Sequence, residues 1–94
     1  MSAPSLSFDP AKNERNIAQR GLSFTLVEQF VWSGAMIRAD TRRDYGEPRY
    51  KALGLIQHRL YALVFTPRAG LVHVISLRKA NRCEISLHEK ATLP

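Results

Sequence analysis

The chain reads as one α+β domain: a short N-terminal strand, two helices, then a three- to four-stranded antiparallel sheet with the helices on one face. Three observations predict this. Asp9-Pro10 opens a polar stretch as a helix start does, an apolar stripe at helical spacing follows over residues 24–31, and from Met36 onward the period changes to alternation broken by turn residues. With 94 residues, 45% hydrophobic and 23% charged, the composition is that of an ordinary globular domain. A single unit over 1–94 is expected, frayed at 1–5 and 90–94.

Leu6, Ser7 and Phe8 suit a short strand. Asp9 then offers an N-cap oxygen and Pro10 a preset φ at the first helical position, so a helix runs from there to Gly21, which tolerates the positive φ of a C-terminal cap. Ser23 caps a second helix over 24 to about 31, with Leu26, Val27, Phe30 and Val31 on its apolar side. Met36-Ile37 forms a short strand leading into a charged loop, residues 40–48. Residues 49–57 alternate, with Tyr50, Ala52, Gly54 and Ile56 on one side and Arg49, Lys51, Leu53 and Leu55 on the other. His58-Arg59 makes a tight turn into a strand over 60–66, Pro67-Arg68-Ala69-Gly70 makes the next turn, and residues 71–79 form a third strand. In that last strand, strict alternation sets Val72, Val74, Ser76 and Arg78 against His73, Ile75, Leu77 and Lys79. Residues 80–89 form at best a weak helix of middling formers, and Pro94 closes the chain. The second sheet face is left to solvent or to another element.

The charge is uneven. Fourteen Lys and Arg against eight Asp and Glu give +6, and because residues 1–47 balance, the excess lies in residues 48–94. Such a bias favours a polyanionic partner, its plain alternative being a solubilising surface. A lone cysteine, Cys83, excludes an internal disulfide framework, and the longest apolar run, residues 60–65, is far too short to span a bilayer. With no signal-peptide core at the start, a soluble cytoplasmic protein that neither needs nor meets a membrane is expected.

Phosphate-loop, dinucleotide, Cys-x-x-Cys and His-Glu-x-x-His motifs are all missing, and His58, His73 and His88 are too scattered for a metal set, so neither metal nor cofactor is expected. What remains is an arginine constellation: Arg49 opening a strand, Arg68 in a turn, and Arg78 with Lys79 closing the last strand. Guanidinium forks match phosphate geometry and stay charged at every physiological pH, which suits a phosphodiester. The plain alternative is ion pairing with Asp40, Asp44 and Glu47.

The segments Leu6-Ser7-Phe8-Asp9-Pro10-Ala11-Lys12-Asn13-Glu14, Asn16-Ile17, Gly21-Leu22-Ser23-Phe24, Asp44-Tyr45-Gly46-Glu47-Pro48-Arg49-Tyr50, Phe65-Thr66-Pro67-Arg68 and Ile75-Ser76-Leu77-Arg78-Lys79-Ala80 resemble, in this order, the motifs of the BrnT toxins. The resemblance spans about residues 6–84. It implies a RelE-like ribonuclease toxin of a type II toxin–antitoxin system, neutralised by a BrnA-like ribbon-helix-helix antitoxin. The implied complex pairs a toxin homodimer with antitoxin in a heterotetramer and reaches operator DNA through the antitoxin. Three departures stand out: Gln19-Arg20 where the family commonly has Lys-His, Arg78-Lys79 where it has paired arginines, and residues 85–90 in place of a basic helical ending.

On this reading RNA is cut without a metal, by its own 2′-hydroxyl. Arg68 and Arg78 neutralise the transition state, and Glu47 or Asp44 accepts the proton. Arg49 and Lys79 orient flanking phosphates, Tyr50 stacks a base or donates a proton, and Arg59 and Arg82 widen the RNA-binding surface. Two other readings compete: an inactive homologue kept as an antitoxin-binding and co-repressor module, which the departures favour, and a generic RNA-binding domain, which lacks the aromatic pairs that stacking recognition wants.

Overall fold

The computed structural model describes residues 5–42 and 44–92. Strand β1 (Leu6–Phe8) leads into helix α1 (Pro10–Arg20). Asp9 accepts a hydrogen bond from the Ala11 N–H at 2.9 Å, and Gly21, at φ +69°, ends the helix by donating to the Ile17 carbonyl. Both ends of α1 are therefore set by residues the sequence marks as caps.

The second helix is different in kind. Ser23 does cap it, but Phe24–Gln29 winds as a 3₁₀ helix, and Val31 opens a strand instead of closing an α-helix. Three residues per turn align Phe24, Val27 and Phe30, and all three are buried, whereas α-helical winding would spread them around the axis. Core packing thus selects the tighter helix.

Strands β2 (Val31–Ala39), β3 (Tyr50–Ile56), β4 (Arg59–Arg68) and β5 (Leu71–Lys79) follow, then helix α2 (Arg82–Thr92). The sheet has five strands in the order β1-β5-β4-β3-β2, and it is mixed: β1 runs parallel to β5, Leu6 opposite Val72 and Phe8 opposite Val74. This corrects the smaller antiparallel sheet. β2 is longer than Met36-Ile37 because its pairing with β3 is irregular between Val31 and Met36, where Gly34 has φ +80°, so no clean alternation marks that stretch. Ser5 is not frayed, since its carbonyl accepts the Val72 N–H at 2.9 Å.

Both hairpin turns lie one or two residues from their expected places. Gln57 and His58 carry positive φ (48° and 71°), as do Ala69 and Gly70 (51° and 78°), the signature of two-residue hairpin turns. Arg59 therefore begins β4, and Pro67 and Arg68 belong to its end, opposite Val72 and Leu71. Pro67 is tolerated there because the β3–β4 ladder has already ended at Tyr50–Phe65.

The main core lies on one face, where Leu22, Phe24, Val27 and Phe30 pack on Ala52, Ile56, Leu63, Phe65, Val74 and Leu77. Each large side chain so buried contributes about 1.5–3 kcal/mol. An aromatic row continues it: Phe30 to Trp32 at 4.7 Å, Trp32 to Phe65 at 5.4 Å and Phe65 to Tyr50 at 5.7 Å between ring centres. Asn16, buried in α1, fastens the helix by donating to the carbonyls of Leu22 and Leu77, both at 2.9 Å, while Asn13 accepts from the Phe24 N–H at 2.8 Å.

The opposite face carries Leu53, Leu60 and Ala62 with Met36 and Ala80, and it is partly covered by α2. The weak tail helix is a full one, for Asn81 and Glu84 form a capping box. The Glu84 N–H donates to the Asn81 side chain at 2.8 Å and the Asn81 N–H to the Glu84 carboxylate at 2.9 Å. Residues 90–92, expected to fray, continue this helix, while residues 1–4, 93 and 94 lie outside the described residues.

Candidate functional site

A bulge decides which face the last strand's charges occupy. Pairing jumps from Val64–Ser76 to Phe65–Val74, leaving Ile75 as an extra residue in β5. Val74 and Leu77, three apart, are therefore both fully buried in the main core, and the alternation expected across residues 71–79 is inverted after Ile75. Ser76 and Arg78 end up on the same face as His73, the face that α2 shares.

One group of predicted residues gathers where the β2–β3 loop meets the end of β4. Glu47 and Arg68 form a two-pronged pair, at 2.8 Å from Nη2 to Oε1 and 3.2 Å from Nε to Oε2. The Arg68 guanidinium holds the Glu47 carboxyl below its ordinary range. Arg49 lies over the Tyr45 ring, 4.0 Å from its centre, and its buried Nε makes no hydrogen bond. The loop is pinned beneath them: Thr66, fully buried, donates to the Pro48 carbonyl at 2.5 Å, and the Asp40 N–H donates to the Arg49 carbonyl at 2.7 Å. Asp44, Glu47, Arg49 and Tyr50 line one cleft of about 360 Å³ with Asp40 and Tyr45.

Within this group the roles are uneven. Asp44 accepts the Gly46 N–H at 2.9 Å and so shapes a turn, and Tyr50 stacks on Phe65. Asp40 is engaged by Arg42 through two bonds of 2.9 Å, which hold its carboxyl down to about 2. Ion pairing thus accounts for Asp40 and Glu47, and it leaves Arg49 without a carboxylate partner among the described residues.

His73 stands beside the Arg68–Glu47 pair, a position sequence reasoning weighed only for a metal. Its Nδ1 is 2.9 Å from the Ser7 hydroxyl across the β1–β5 ladder. Burial first, then the Arg68 charge, push its imidazole below its ordinary value, against a smaller opposite effect of Glu47. No local signal marks this contact, because it depends on the parallel pairing of β1.

Arg78 belongs to a second group. Its Nη1 and Nη2 reach the two Glu84 oxygens at 2.7 and 2.8 Å, and Lys51 reaches the same carboxylate at 2.5 Å. Glu84 is buried and held down to about 2, chiefly by Arg78. Arg78 lies opposite Ala62 and Arg68 opposite Leu71, so their rows are roughly 20 Å apart at about 3.3 Å per residue. The two arginines do not converge on one phosphate. Lys79, opposite Tyr61, points to the other face from Arg78. Arg59 starts β4 at the far end from Arg68, and Arg82 is exposed in the first turn of α2. Lys51 and Glu84 were missed, although Asn81-x-x-Glu84 is a readable cap.

The family model described as the ribonuclease toxin, BrnT, of type II toxin–antitoxin systems matches residues 8–84, from the end of β1 to the Glu84 that closes on Arg78. The chain belongs to the BrnT family. A comparison with curated proteins finds no match. As a BrnT toxin it is a ribonuclease toxin of a type II system, with an antitoxin as partner. The matched span contains Glu47, Arg49, Arg68, His73 and Arg78, so both charged groups fall within the BrnT region. Among the described residues, no helix is long and apolar enough to cross a membrane, and no group of three or more His, Cys, Asp or Glu side chains is placed to hold a metal ion.

Proposed function

We propose that this BrnT protein cleaves RNA without a metal ion, by in-line attack of a 2′-hydroxyl on the adjacent phosphodiester, at the charged group where the β2–β3 loop meets the end of β4. The observation that carries this reading is Arg49. Its guanidinium lies over the Tyr45 ring, beside the Arg68–Glu47 pair, and among the described residues it has no carboxylate of its own. A phosphate supplies the missing partner, and Arg68 shares the charge that builds up in the transition state. Glu47 keeps the Arg68 fork oriented. Its depressed pKa and doubly engaged oxygens make it a poor proton acceptor, and Asp44 serves the turn.

Neutralisation follows from the same chemistry. A BrnA-like antitoxin places acidic side chains against Arg49 and apolar ones over the exposed Leu55, Ile85 and Leu87. Operator DNA is then met through the antitoxin, with two toxins in a heterotetramer.

The test is induced expression of the wild-type chain and of Arg49→Ala/Arg68→Ala, following growth and total RNA, with and without the antitoxin. Arrest with RNA loss, relieved by the double substitution and by the antitoxin, is expected. Healthy growth with intact RNA from soluble wild-type protein would instead assign the chain to the inactive antitoxin-binding module.

A further inference from the structure

Cleavage through a 2′-hydroxyl needs a proton acceptor, and the three carboxylates that line the cleft are already engaged, Asp40 by Arg42, Asp44 by the Gly46 N–H and Glu47 by Arg68. Resting on the ribonuclease reading above, we propose that His73 is that acceptor and that Ser7 is its positioning residue.

His73 lies in β5, opposite Thr66 of β4 on one side and Ser7 of β1 on the other, so both flanking strands fix its backbone. The Ser7 hydroxyl engages Nδ1 at 2.9 Å, and among the described residues nothing hydrogen-bonds Nε2. When Nδ1–H donates to Ser7, Nε2 carries the lone pair that a base requires. The charged groups acting on the ring are Arg68 from β4, Glu47 from the loop, Lys12 from α1 and Asp9 from its cap. Burial, then Arg68, lower the pKa of the imidazole against the opposing carboxylates, which favours its neutral form. That is the protonation state of a base, and it is favoured first by burial and then by the same arginine that meets the phosphate.

The step balances within the RNA. The 2′-O–H proton passes to Nε2, the 2′-oxygen bonds to phosphorus, and the P–O5′ bond breaks with its electron pair leaving on O5′, which takes a proton from solvent water. The products are a 2′,3′-cyclic phosphate and a 5′-hydroxyl. The imidazolium then returns its proton to solvent.

The test is single-turnover cleavage of a short RNA by purified protein across acidic to neutral pH, with folding and antitoxin binding checked for each variant. His73→Gln is expected to lose about 100-fold or more in rate and the acid limb of the profile. His73→Asn, whose amide keeps a bond to Ser7, should be as inactive yet as stable as wild type. Ser7→Ala should keep the limb but move its midpoint. Wild-type cleavage matched by His73→Gln and His73→Asn would overturn the role of His73 while leaving the ribonuclease reading in place. Absence of cleavage by every form, wild type included, would overturn both.

Discussion

Arg78 and Glu84 face each other through two parallel hydrogen bonds of 2.7 and 2.8 Å, and this closes the fork that the sequence reading assigned to RNA. The carboxylate also takes Lys51 and caps α2 through Asn81. Glu84 is therefore the point at which the C-terminal helix is fastened to the sheet.

Arg68 and Arg78 should consequently fail in different ways. Arg78→Ala leaves Glu84 with one cation and should cost about 1–3 kcal/mol, less than a deeply buried pair because Arg78 keeps some exposure. Arg68→Ala, at an exposed pair, should leave stability nearly unchanged yet reduce RNA cleavage by about 100-fold. Denaturant melts and cleavage rates on the two variants separate these effects.

Acid should loosen the C-terminal helix. The Glu84 carboxyl is depressed from 4.5 to about 2 in the fold, so the unfolded chain takes up its proton first as pH falls. The stability it contributes is complete above 4.5 and lost progressively from there towards about 2. Melts over that window should show the loss, and Glu84→Gln should show less of it while starting lower.

Gly54 is where the backbone passes directly beneath the Phe30 ring, and a Cβ there would overlap that ring. Gly54→Ala should destabilise by about 1–3 kcal/mol through displacement of Phe30. Phe30→Ala alone should cost about 3–5 kcal/mol. The double variant should cost less than the sum, because the added methyl then enters space the ring has left. Additive costs in a double-mutant cycle would contradict this contact.

Asn16 spends both amide hydrogens on the carbonyls of Leu22 and Leu77. Replacement by Leu, similar in size but without donors, should cost about 1–3 kcal/mol by leaving those carbonyls unpaired. Hydrogen exchange should quicken in α1 and along β5 before it does in β3.

What was legible in the sequence is what neighbours a few residues apart decide. Asp9-Pro10 and Gly21 delimit α1, Ser23 caps the segment after it, alternation marks β3 and the first half of β5, and a turn followed by β-branched and aromatic residues marks β4, because caps, turns and periods are short-range. The β2–β3 loop, with Glu47, Arg49 and Tyr50 in consecutive reach, was legible as a candidate site for the same reason. Its segments also carried the BrnT resemblance.

Tertiary structure decided the rest, through contacts between distant residues. Ser7 meets His73 across 66 positions because β1 pairs with β5 at the edge of the sheet, and three residues carry too little pattern to reveal that pairing. The bulge at Ile75 arises because Val74 and Leu77 both need the core, which turns Arg78 over towards Glu84. Residues 24–31 wind as a 3₁₀ helix because three buried side chains must align on the sheet. In each case burial of apolar area outweighs a weak local preference, so the arginines that look like one cluster in the sequence stand as two groups in the fold.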